Sequence, residues 1–197
     1  MKNLIIIFFV FISIFYFTNG QHVTYCPDDC PEVQWNGPFT ISCSEVCPGL
    51  TASCEFEYRK NTCEEPSICQ FRIVSNISFE GNFTPSCDME KILINLTECT
   101  ISQKIGLCDP DVSITVEFFK ASCWKWDGPI PIDPNDPLPN MVSCYGTGCC
   151  KATYTVTKLF DGQGNFIGYD IRYRYSTHYG PDNCDPNDPG CYYDCIN

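Results

Sequence analysis

The side chains with the most chemistry to offer are the 17 cysteines, all of which lie beyond residue 25. Cys26/Cys30, Cys43/Cys47 and Cys191/Cys195 stand at Cys-x-x-x-Cys spacing, within the loose range of structural zinc sites. The same sulfurs can instead close disulfides, and the compartment decides between the two. Thiolate ligands need reducing surroundings, whereas bridges persist in oxidising ones. Cys54, Cys63, Cys69, Cys87, Cys99, Cys108, Cys123, Cys144 and Cys184 are scattered singly, and no Cys-x-x-Cys occurs, so redox catalysis is not indicated. Cys149 and Cys150 are adjacent. In a strand, neighbouring side chains point to opposite faces, which favours two separate bridges over a vicinal one. Seventeen is an odd number, so one thiol stays free or bonds outside the chain, an intermolecular disulfide being one outlet. Connectivity is not legible from spacing.

Oxygen ligands come next. The pentapeptide Asp133-Pro-Asn-Asp-Pro137 recurs at residues 185–189, so Asp133, Asp136, Asp185 and Asp188 offer two pairs of carboxylates. Calcium prefers such donors, but neither stretch has the spacing of a twelve-residue calcium loop, and Pro with Asn/Asp marks both as turns. Calcium is thus a secondary expectation at these four residues, and no other cofactor is expected. Tyr169, Tyr173 and Tyr175 stand at alternate positions. That stripe serves either as an aromatic platform for a sugar or as the covering of a core.

Nucleophilic catalysis lacks a recognisable base. The histidines are His22, beside the expected mature terminus, and His178, beside the Tyr-rich strand, where it could serve Ser176 or a carboxylate. There is no Gly-x-Ser-x-Gly, no His-Glu-x-x-His and no glycine-rich phosphate loop, so none of the sequence-readable catalytic sets is present. Two acids of a glycosidase need only meet in space, but the expectation is a non-enzyme. Sequons place candidate glycans on Asn76, Asn82 and Asn95, usable only in a host with that machinery.

The compartment follows from the start of the chain. Lys2 precedes an apolar run over residues 4–17, and small residues stand at Thr18 and Gly20. This is the pattern of a secretory signal over residues 1–20, with cleavage before Gln21. The run is shorter than the roughly 20 residues that span a bilayer, so no membrane attachment is expected after cleavage. Removing Lys2 leaves 11 basic and 24 acidic residues, a net charge of 11 − 24 = −13. Such a surface repels nucleic acid and anionic lipid and leaves extracellular proteins or glycans as partners. Secretion also settles the cysteine question in favour of disulfides over zinc.

The elements that must position these residues are mostly strands. An order of motifs occurs twice: Cys30, Trp35-Asn36-Gly37-Pro38, Ser42-Cys43, Cys47, Cys54-x-x-x-Tyr58, then Cys123, Trp126-Asp127-Gly128-Pro129, Ser143-Cys144, Cys149, Cys150-x-x-x-Tyr154. Internal duplication would give an N-terminal unit at 21–110 and a C-terminal unit at 111–197, free to pack as one domain. Each copy continues into a strand pair, 54–59 with 68–74 and 151–160 with 166–175. The second pair alternates strictly about a Gly-rich link at residues 161–165, a hairpin pattern. One helix is expected from an Asp88 cap to about Lys104, because Met89, Ile92, Leu93 and Leu96 recur at three- and four-residue steps. Residues 112–118 alternate as a further strand. The fold class is α+β, β-rich, with antiparallel hairpins and one helix, stapled by disulfides.

Residues 54–58, Ser122-Cys123-Trp124, residues 148–156 and the closing Cys191-x-x-x-Cys195 together resemble uncharacterised, secreted, cysteine-rich bacterial proteins. The resemblance spans most of the chain after residue 20. It implies secretion and a disulfide fold, and brings no activity or site residues. The expected function is a non-catalytic structural, surface or adhesive protein. An extracellular carbohydrate- or protein-binding module is the alternative, and a small secreted hydrolase the third.

Overall fold

The computed structural model describes residues 26–82, 87–108, 110–133, 136–144, 148–180, 184, 190–193 and 195. The expected signal sequence, including Gln21 and the cleavage point, lies outside the described residues, as do Asp185 and Asp188.

The chain folds as a β-rich, disulfide-stapled α+β structure with one α-helix among the described residues. Its strands are β1 (Asn36–Cys47), β2 (Leu50–Asn61), β3 (Ile68–Ile73), β4 (Ser78–Gly81), β5 (Ser113–Ala121), β6 (Cys123–Trp126), β7 (Met141–Ser143), β8 (Cys149–Phe160), β9 (Phe166–Tyr179) and β10 (Tyr192–Tyr193). The helix α1 (Met89–Lys104) falls between β4 and β5 and runs into a 3-10 turn at Ile105–Cys108. The main sheet has the order β1-β2-β3-β5-β8-β9, with β4 also paired to β2, and a small sheet has the order β10-β6-β7. The expected hairpins are β2–β3 and β8–β9, both antiparallel. The parallel β3–β5 pair, with Cys69 opposite Val116, carries the sheet across the expected 110/111 boundary.

The two motif copies agree in part. In β2 and in β8 the Cys-x-x-x-Tyr stretch opens a hairpin and directs its cysteine and tyrosine to the core face. Upstream they differ: β1 pairs with β2, whereas β6 and β7 pair with each other in the small sheet. Trp35 packs against Phe119, and Trp126 against Phe79.

α1 starts where its capping residue requires. The Asp88 carboxylate accepts a hydrogen bond from Lys91 N at 2.8 Å, satisfying one of the orphan donors of the first turn. Glu90 in the first turn and Lys104 in the last complement the helix dipole. Ile92, Leu93, Leu96 and Ile101 are buried on the sheet. Cys43–Cys99 ties α1 to β1, and Asn95 Nδ2 donates to Val46 O at 2.6 Å. On its other flank α1 meets β9. Since β1 and β9 are the two ends of the strand order, the sheet curls round the helix so that one helix touches both edges.

The core therefore lies between α1 and the concave face, with Phe56, Phe71, Phe118 and Leu96 at its centre. The opposite face is also buried, and beside Phe119 it holds a chain of polar side chains. Arg59 Nε donates to Gln70 Oε1 at 2.6 Å, Gln70 Nε2 to Glu117 Oε2 at 2.6 Å, and the Glu117 carboxylate meets Lys151 Nζ at 2.9 Å. The chain of bonds steps across β2, β3, β5 and β8. Residues before β1 cover it: Arg59 Nη1 donates to Cys30 O and Val33 O and pairs with Asp28 at 2.8 Å. The Trp35 ring lies 4.4 Å from the Arg59 guanidinium and 4.2 Å from that of Arg72, distances at which a cation is attracted to an aromatic face.

Sixteen cysteines pair at disulfide distance: 26–149, 30–63, 43–99, 47–87, 69–108, 123–184, 144–191 and 150–195. None of the Cys-x-x-x-Cys pairs closes on itself, and Cys149 and Cys150 go to different partners. The odd cysteine is Cys54, buried in the core. Burial, helped by the Glu55 charge, pushes its thiol up to about 12. An intermolecular bridge through it would require the sheet to open. No helix among the described residues is long and apolar enough to cross a membrane.

Candidate functional site

A cavity of about 260 Å³ opens between α1 and the β5–β8–β9 part of the sheet, lined by Ile94, Glu98, Lys120, Ala152, Tyr154, Tyr173 and Ser176. Alternation in the strands explains its floor. Val116 and Phe118 face the core from β5, so Lys120 faces the same way, and it is 5% exposed. Ala152 and Tyr154 on β8, the register partners of Phe118 and Val116, are likewise buried. Ile94 and Glu98, one helical turn apart, form the wall from α1. Tyr173 and Ser176 form the wall from β9.

The β9 wall depends on a bulge. The register runs Tyr154↔Tyr173 and then Thr153↔Tyr175, leaving Arg174 as the extra residue. An extra residue inverts the parity of the strand. Before it, Tyr169, Ile171 and Tyr173 face the core side. After it, Ser176 and His178 do so, and Tyr175 points to the other face with Thr153. The aromatic stripe of Tyr169, Tyr173 and Tyr175 is thus divided. Tyr169 packs on the core with its ring 4.9 Å from Phe166. Tyr173 stands at the cavity mouth, its ring 5.7 Å from Tyr154 in an edge-on arrangement. Its hydroxyl donates to Ser176 Oγ at 3.0 Å.

Tyr173 thus gives Ser176 a hydroxyl partner at the cavity mouth. His178 lies on the same side, its ring 5.6 Å from Tyr193, and its Nε2 lies close to Gly148, where a Cβ would come within 2.6 Å of it.

The oxygen-rich candidates are elsewhere. Asp133 and Asp136 are both exposed, with Asp136 N donating to Asp133 O at 3.1 Å in a turn. Among the described residues neither belongs to a cluster of three or more potential ligand atoms. The one cluster of that kind joins Cys30, Cys63 and Glu32, and its two sulfurs are bonded to each other, so it holds no thiolate. Asp161 is occupied as a turn residue. Its carboxylate accepts from Asn165 Nδ2, Asn165 N and Gln163 N, bonds that hold it below the usual carboxylate range.

Of the sequons, Asn76 is exposed, and so is Asn82, although Thr84 of its motif lies outside the described residues. Asn95 is half-buried, with its amide bonded to Val46.

Sequence reasoning identified Tyr173 but not Glu98, Lys120 or Ile94 as its neighbours. Lys120 carried a signal nonetheless: a lysine at an inward position of an alternating strand. The chain matches no known family model, no curated protein and no solved structure.

Proposed function

We propose that the protein is a secreted, non-catalytic binding module whose ligand is a single sugar ring, or a polyol of that size, held in the α1–β9 cavity. The observation that carries this reading is the composition of the cavity. Tyr154 and Tyr173 offer aromatic surface, while Glu98, Lys120 and Ser176 offer an acceptor, a donor and a hydroxyl around it. Sugars are matched by that pairing of apolar ring faces with a few convergent polar groups. At about 260 Å³ the cavity lies just below the roughly 300–1,000 Å³ typical of ligand pockets, which suits one ring rather than an extended chain. The signal pattern over residues 1–20 and the eight bridges support an extracellular setting. An adhesive role fits within this reading if the sugar belongs to a surface. With Cys54 buried, attachment to a partner is non-covalent.

The test is a glycan array followed by calorimetric titration of the monosaccharides that score. Tyr173→Ala should weaken binding about tenfold, the loss of roughly 1.4 kcal/mol, and Ile132→Lys on a remote loop should leave it unchanged. Absence of binding to any glycan or monosaccharide would overturn the proposal.

A further inference from the structure

β8 and β9 outrun the rest of the sheet. The β5–β8 ladder ends at Ser113↔Thr157, and beyond one backbone bond from Lys158 N to Val112 O, Lys158, Leu159 and Phe160 have only β9 as a strand partner. The hairpin therefore ends as a two-stranded ribbon, a structure that is marginal in water unless something packs on it. Leu159, Phe160, Phe166 and Ile167 on this ribbon are 42%, 49%, 51% and 63% exposed. They do not share one face. Phe160 and Phe166 are register partners with rings 6.2 Å apart. Leu159, next to Phe160, points the other way. Ile167 is the extra residue of a second bulge, between the Leu159↔Gly168 and Phe160↔Phe166 pairs.

Three observations identify what covers it. First, β9 ends the strand order, and its edge is guarded unevenly. The Arg174 bulge and the exposed Arg172 blunt the later half, the devices natural edge strands use against pairing. Residues 168–171 carry no bulge and no lysine or arginine, the Ile167 bulge standing ahead of them. Second, residues 158–172 hold Lys158 and Arg172 against Asp161 and Asp170, so their charges cancel within a chain of net −12. Two copies that repel one another elsewhere can meet here without a charge penalty. Third, the very tip is the Asp161 turn, with a carboxylate satisfied by the turn itself. Insertion into lipid would bury that charge away from water, which is unfavourable.

We propose that the ribbon is a self-association arm: residues 166–171 pair with the same strand of a second copy, enclosing Leu159, Phe160, Phe166 and Ile167 between them. A standard interface takes roughly 20–30 residues a side. The arm offers fewer, which sets the dimer at the weak end, near a micromolar Kd.

Sedimentation velocity on the secreted chain from about 0.05 μM to about 100 μM brackets that affinity. The expected result is a shift from monomer to dimer, lost in Ile167→Lys and in Phe160→Ser and kept in Ile132→Lys. Hydrogen exchange in the wild type provides a readout independent of variants: amides 166–171 should gain protection as concentration rises. A monomer at every concentration overturns the proposal, as does a dimer that neither variant weakens or whose residues 166–171 exchange at a constant rate. Binding of the monomer to phosphatidylcholine vesicles with no dimer would assign the arm to lipid instead.

Discussion

Lys151 Nζ lies 2.9 Å from the Glu117 carboxylate on the polar face of the sheet, under residues 26–35. Burial draws the Lys151 ammonium down, but the hydrogen bond and charge of Glu117, with Tyr179, outweigh this and push it up to about 12. A lysine raised in the folded state adds stability that is complete below its unfolded value of about 10.4 and lost as pH climbs through 12. Denaturant midpoints should therefore fall between about pH 10 and 12, and Lys151→Met should flatten that part of the profile. Glu117→Ala should cost about 3 kcal/mol by leaving the lysine only the more distant Asp29 at 3.9 Å, more than removal of both partners together. Equal profiles for wild type and Lys151→Met would show that the pair contributes nothing.

Gly148 is a contact position. A Cβ there would lie 2.4 Å from Tyr179 O and 2.6 Å from His178 Nε2. Backbone on one side and the half-buried His178 ring on the other leave little room to yield. Gly148→Ala should lower stability by about 1–3 kcal/mol, read as a shift in chemical-denaturation midpoint. A neutral result would mean that the end of β9 moves freely.

Cys54 should be the only thiol in the folded protein, and it should be inert. Its burial and its rise to about 12 keep the thiolate scarce and inaccessible. Iodoacetamide should label nothing under native conditions and one site, Cys54, in denaturant without reductant. Native labelling, or more than one site after denaturation, would contradict the bridge pattern.

Glycan attachment should separate the sequons. Asn76 is exposed, whereas the Asn95 amide is bonded to Val46 O between α1 and β1. Folded material from a glycosylating host should carry sugar at Asn76 and none at Asn95, as peptide mapping would read. Efficient modification of Asn95 in folded protein would require α1 to sit differently.

Stability should depend on the bridges even though the core is continuous. Several of them tie distant stretches, as Cys26–Cys149 does across a sequence separation of 123. A native bridge contributes roughly 2–5 kcal/mol against a net stability of roughly 5–15. Reduction, verified by mass, should abolish the cooperative melt and the near-ultraviolet dichroism of Trp35, Trp124 and Trp126. A melt unchanged within a few degrees would show that the concave-face core suffices.

Local patterns were enough for the helix and the hairpins. Asp88 with Met89, Ile92, Leu93 and Leu96 set α1, and strict alternation set β8 and β9, because capping and periodicity act over a few residues. The odd count of cysteines required an outlier, but only packing could select Cys54, since bridge partners are chosen by Cα geometry across the sheet. Alternation likewise placed Tyr169, Tyr173 and Tyr175 on one face. One extra residue at Arg174 sent Tyr175 to the other, and a bulge leaves no mark in residue types. The cavity was out of reach for the same reason. Glu98 on α1 and Lys120 on β5 become neighbours of Tyr173 only when the sheet curls far enough for one helix to touch both of its edges. That curvature belongs to the whole set of pairings and to no single segment.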